Sequence, residues 1–139
     1  MIRRKRVAVA GGTVVAALCL AFTASPSWAG TRLVGFNVNM PWQGLFTYTD
    51  PQTKTHSGSE GEVNITSVGS SYLANARMCY MNANGCAAAT TGLDDGTSGI
   101  LAGGMSGDPI WSGETVQLGL NSTNWNAVSV QVIGSWLSD

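Results

Sequence analysis

The sequence has one histidine, His56, and few charges of either sign, with seven Lys and Arg against eight Asp and Glu in 139 residues. General acid–base and metal chemistry need imidazoles, carboxylates or thiols gathered at one place. An inventory this thin argues against an enzyme, and no metal or cofactor is expected. Four of the cations, Arg3, Arg4, Lys5 and Arg6, stand at the N-terminus; beyond residue 29 only Arg32, Lys54 and Arg77 face eight carboxylates, a net charge of −5. Three scattered cations cannot neutralise a run of phosphates, which excludes nucleic acid as a partner, and they attract anionic lipid surfaces no better. Helical periodicity of useful length is also missing, so the elements are expected to be strands.

The basic start leads into an apolar run over 7–22 and then into Ser27-Trp28-Ala29 before Gly30. A basic head, an apolar centre and small residues at the last and third-last positions make a secretory signal, with cleavage expected after Ala29. A run of 16 residues interrupted by Gly11-Gly12 and Thr13 is short for a membrane span, so stable membrane insertion is not expected. Leu18 before Cys19 does not suit lipid attachment, and Arg3-Arg4 lacks the flanks of a twin-arginine signal. The Ala, Val and Gly richness has the style of a bacterial leader. The product is expected outside the cell, as a single domain over 30–139, a length that supports one core.

With Cys19 in the leader, Cys79 and Cys86 remain, an even number for an oxidising compartment, and they are expected to form a disulfide. Asn82-Ala83-Asn84-Gly85 between them is a hairpin signal, because Asn-Gly tolerates positive φ. Neither a C-x-x-C spacing nor clustered histidine supports a metal or redox pair.

Alternation of apolar and polar residues marks the strands. Over 33–40, Val34, Phe36, Val38 and Met40 share one face. The run 44–49 sets Leu45 against Phe46 and Tyr48, after which Asp50-Pro51-Gln52-Thr53 is expected to turn and 53–61 to be an exposed loop. Val63 and Ile65 point inward over 62–68. Over 72–81, Tyr72, Ala74, Ala76, Met78 and Tyr80 alternate with Leu73, Asn75, Arg77, Cys79 and Met81, and a return strand is expected over 86–91. Residues 91–107 are expected to be the longest irregular region. Val116, Leu118 and Leu120 alternate over 114–120, and Val128, Val130 and Val132 point inward over 127–137. The expected fold is all-β, a small antiparallel sandwich of seven or eight short strands with one hairpin disulfide.

Four tryptophans lie beyond the leader. Trp136 continues the inward parity of the last strand and is expected in the core. Trp42 follows Pro41, Trp111 lies between Pro109 and Gly113, and Trp125 stands between Asn124 and Asn126, all beside expected turns. Large aromatics next to amides in loops are the anchors of protein- and glycan-binding surfaces. The N-terminal strand, with Val34, Phe36 and Val38, is long, apolar and a candidate for pairing with a partner's sheet edge. Chemistry elsewhere is weaker. His56 beside Ser57 does not make a Ser/His pair by adjacency. Glu60 and Glu62 share a strand face without an evident cleft. Asp94-Asp95-Gly96 offers oxygens to Ca²⁺ but lacks EF-hand spacing. Asn64-Ile65-Thr66 and Asn121-Ser122-Thr123 match a glycosylation pattern that a bacterial source leaves idle. The expected function is therefore non-catalytic binding of another secreted or cell-surface protein, as an adaptor or small subunit of an extracellular complex or toxin. A carbohydrate-binding module using the loop tryptophans is the alternative, as is a protease inhibitor presenting the disulfide-closed turn.

Overall fold

A computed structural model describes residues 31–81 and 85–139. The leader expected over 1–29 and residues 82–84 of the turn expected over 82–85 lie outside the described residues. The chain is nearly all β, with antiparallel sheets, and has eleven strands among the described residues, more than the seven or eight expected. They are β1 (Val34–Met40), β2 (Thr47–Tyr48), β3 (Gln52–Thr53), β4 (Gly61–Val68), β5 (Ala74–Tyr80), β6 (Thr90–Leu93), β7 (Ser98–Leu101), β8 (Gly104–Met105), β9 (Asp108–Pro109), β10 (Thr115–Ser122) and β11 (Val130–Leu137). One sheet has the order β1-β11-β4-β7 and the other β2-β10-β5-β6, with β3 also on β10, while β8 and β9 form a small separate hairpin.

Alternation determines which face each long strand buries. Phe36 and Met40 of β1, Val63 and Ile65 of β4, Ala74, Ala76 and Met78 of β5, Val116, Leu118 and Leu120 of β10, and Val130, Val132 and Trp136 of β11 all lie in one buried cluster. Burying these faces against each other is the main stabilising term, at about 25 cal/mol per Å² of apolar area removed from water. Gly134 allows β1 to lie close, because a methyl there would clash with the Phe36 ring at 2.7 Å. The β4–β11 ladder shifts register between Ile133 and Gly134.

Several local expectations are corrected. The turn expected at 50–53 is instead an interruption in one edge. β2 and β3 both pair with β10, and between them Thr49 N–H donates to Leu118 O (3.0 Å) while its hydroxyl accepts from Leu118 N–H (3.3 Å). Pro51 is tolerated there because an edge strand needs no donor on its open side. The return strand expected over 86–91 reduces to a single bridge, Cys79 to Cys86, before β6 begins at Thr90. Residues 91–107, expected to be irregular, contain most of β6, all of β7 and the first half of the β8–β9 hairpin. Val128, expected inward, is 55% exposed, because β11 begins only at Val130. Cys79 and Cys86 form the expected disulfide, with an S–S distance of 2.06 Å.

Candidate binding surface

The connections β1–β2, β4–β5, β6–β7 and β10–β11 meet at one end of the sandwich. β1 leaves that end through Pro41 into a 3-10 turn over Trp42–Gly44, where Gln43 adopts φ 63°. A left-handed backbone is uncommon for a residue with a side chain and persists only where its surroundings hold it. The holder is Asn126, which is fully buried. Its Nδ2 donates to Pro41 O (2.9 Å) and Val128 O (2.7 Å), its Oδ1 accepts from Gly44 N–H (3.0 Å), and its backbone oxygen accepts from Gln43 N–H (2.8 Å). One amide thus ties the 41–45 loop to the 124–128 loop.

The two tied loops expose four large apolar side chains beside the polar Gln43 and Asn124. Trp42 is 53% exposed, Leu45 56%, Trp125 69% and Val128 55%. Four large exposed apolar side chains on two loops pinned to one buried residue make a preformed platform, and exposed apolar surface of this kind marks interaction sites. β1 runs directly into this platform and is itself the outer strand of its sheet, so one side of its backbone is unpaired by β11. Of the strand residues proposed for partner contact, Phe36 is buried in the core, and Val34 and Val38 are half-buried on the same inward face. What β1 offers outward is therefore its main chain, with Gly35, Asn37 and Asn39 on the solvent face.

Trp111, 59% exposed, is not part of the platform. It sits in a turn before Thr115, whereas Trp125 follows Ser122, so the eight residues of β10 separate them by about 25 Å at the rise of a strand. That opposite end is built around polar contacts. Lys54, expected on an exposed loop, is buried, and its ammonium bonds Ser138 O (2.5 Å), Ser59 O (2.8 Å), Ser59 Oγ (3.0 Å) and Asp139 Oδ1 (3.0 Å). Asp139 also accepts from Thr55 N–H and Thr55 Oγ1 (2.6 Å each) and from Ser59 Oγ (2.6 Å). Burial favours the neutral acid, but hydrogen bonds from Ser59, Thr55 and Lys54 outweigh it and hold the Asp139 carboxyl well below the ordinary carboxylate range. The Lys54 ammonium is thus committed as a donor to Ser59, Ser138 and Asp139.

The other candidate groups are occupied structurally. The His56 Nδ1 lies 3.0 Å from Thr55 Oγ1, and the Ser57 hydroxyl accepts from Ser112 N–H (2.9 Å), so the two do not pair. Glu60 lines an open depression of about 350 Å³ with Gly58, Gly103, Gly104 and Asp108, and Glu62 does not share it. Asp95 Oδ1 accepts from Val68 N–H (2.5 Å) and Asp94 Oδ1 from Asp95 N–H (2.7 Å), which tethers the 94–97 turn to β4. Among the described residues no three His, Cys, Asp or Glu side chains gather as a metal site, and no helix is long and apolar enough to cross a membrane.

No protein family, curated protein or solved structure matches this chain. The reading of its surface therefore rests on its own residues. Trp42 and Trp125 were visible in the sequence as aromatics beside turns, and their juxtaposition was not. The sequence marks Asn126 only as one of the two amides flanking Trp125, and its burial is what distinguishes it as the clamp.

Proposed function

We propose that this protein is a secreted, non-catalytic docking module that binds another extracellular protein through the Trp42–Leu45–Trp125–Val128 platform and the adjoining free edge of β1. The observation that carries the reading is the Asn126 clamp, which fixes two apolar loops side by side before any partner arrives. Preorganisation lowers the ordering cost of association, and buried tryptophans at the centre of an interface are its usual energetic anchors. The open backbone of β1 adds a second mode, pairing with an exposed strand of the partner. The disulfide supports an oxidising compartment, in keeping with export by the N-terminal signal.

Glycan recognition is less well supported by the same residues. A lectin site needs polar side chains free to bond sugar hydroxyls beside its aromatic ring; the Asn126 amide is spent on three main-chain groups, which leaves the exposed Gln43 and Asn124 as the amides beside Trp42 and Trp125.

The test is affinity capture from the medium of the cells that make the protein, using the tagged protein as bait and mass spectrometry as the readout. The wild type should retain one protein in stoichiometric amount, and a Trp42→Ala/Trp125→Ala bait should lose it while keeping the wild-type circular dichroism spectrum. A partner retained equally by both baits would rule the platform out.

A further inference from the structure

A separate feature lies on the outer face of the five-stranded sheet and does not depend on the docking reading. Arg77 alternates with the buried Ala76 and Met78 and so points outward from β5. Its guanidinium carbon lies 4.6 Å from the Phe46 ring centroid, and Phe46 stacks on Tyr48 with centroids 6.2 Å apart. Gly119 of β10 stands opposite both Arg77 and Tyr48. A methyl at Gly119 would meet Cys79 Sγ at 3.0 Å and the Tyr48 ring at 3.1 Å. The missing side chain lets the aromatic pair and the disulfide close over the strand and leaves Arg77 seated beside them.

The charge of Arg77 is uncompensated. Residues 31–139 contain three cations and eight carboxylates, and Lys54 takes Asp139. Among the described residues Arg77 makes no ion pair and its side chain donates no hydrogen bond, and its buried Nε has no acceptor. A guanidinium is a rigid fork that matches a planar carboxylate with two parallel bonds, and stacking on an aromatic face fixes its orientation in advance. The chain's excess negative charge disfavours approach of a dianion more than that of a monoanion.

We propose that Arg77, seated on the Phe46 ring of the Phe46–Tyr48 stack, is a binding site for a carboxylate carried by another molecule, either an acidic side chain of a docked peptide or a free organic acid. The probes are sodium benzoate and the blocked tripeptide acetyl-Gly-Glu-Gly-amide, each titrated against the purified protein at constant ionic strength, with sodium chloride as control. The readouts are the Arg77 Nε–H and Gly119 amide resonances in ¹H–¹⁵N spectra. Saturable shifts with both probes, absent with chloride, would support a general carboxylate site. Saturation with benzoate alone would support the free-acid source, and with the tripeptide alone the peptide source. Arg77→Lys, which keeps the charge and loses the fork, should weaken binding about tenfold by the Gly119 amide. Linear drift equal to that in chloride, or unchanged affinity in both Arg77→Lys and Arg77→Gln, would overturn the proposal.

Discussion

Asn126 and Lys54 are both polar, both essentially inaccessible, and both bonded to groups more than 80 positions away in sequence. Burying such a side chain is unfavourable unless its donors and acceptors are met, so each is a point where the structure depends on one residue. Asn126→Ala leaves Pro41 O, Val128 O and Gly44 N–H without a partner and should lower stability by about 3 kcal/mol, at about 1 to 3 kcal/mol per orphaned group with partial rehydration. Chemical denaturation measures this loss, and faster amide exchange at Gly44 would localise it to the platform. Lys54→Met removes one partner of a buried pair and should also cost about 3 kcal/mol, because Asp139 then keeps its charge without a counterion. The pH dependence follows from the lowered pKa of Asp139. A carboxyl titrating lower in the folded than in the unfolded chain stabilises fully above the ordinary carboxylate range and loses that contribution as the pH falls below it. The denaturation midpoint should therefore be flat from pH 7 to about 5 and fall below about pH 4, with a shallower fall in Asp139→Asn.

The strands differ in how far their sequence announces them. β1 and β11 alternate cleanly, β5 and β10 do so apart from the buried Cys79 and Gly119, and β4 does so as far as Ile65, beyond which its register shift against β11 brings Val68 inward; a half-buried strand imposes a period of two. β6 and β7 escape detection because glycine and threonine replace the apolar positions, as in Thr90–Leu93 and Ser98–Leu101. There, contact comes from close approach, since a methyl on Gly99 would strike the Thr90 side chain at 2.5 Å. The 54–59 segment reads as a polar loop because only Ser59 among the partners that bury Lys54 is local, whereas Ser138 O and the Asp139 carboxylate belong to the far end of the chain and no local pattern encodes them. The platform was half legible for the same reason: Trp42 and Trp125 stand out individually, whereas their proximity depends on the long-range bonds of Asn126. The disulfide acts at this scale too, pinning β5 to the bridge at Cys86. Closing a loop of this length should contribute about 2.5 kcal/mol through the unfolded chain. A Cys79→Ala/Cys86→Ala variant should lose about that much by denaturant midpoint yet retain its far-ultraviolet spectrum, since the core lies between the sheets and not at the hairpin.

Across the whole molecule the two ends have different characters. One gathers exposed apolar side chains on clamped loops. The other gathers polar ties around Lys54 and Asp139, and burial, followed by the Glu114 and Asp108 carboxylates, raises the Tyr80 phenol above its ordinary pKa. This division predicts that a partner covers the Trp42–Trp125 end and the β1 edge, and leaves the Trp111 end in solvent. The measurement that tests this most directly is hydrogen–deuterium exchange of the protein free and bound to the captured partner. The account predicts slowed exchange in 41–45, in 124–128 and along β1, with none around 54–58 and 110–114. Protection confined to the Trp111 end, with the Asn126-clamped loops unchanged, would contradict it.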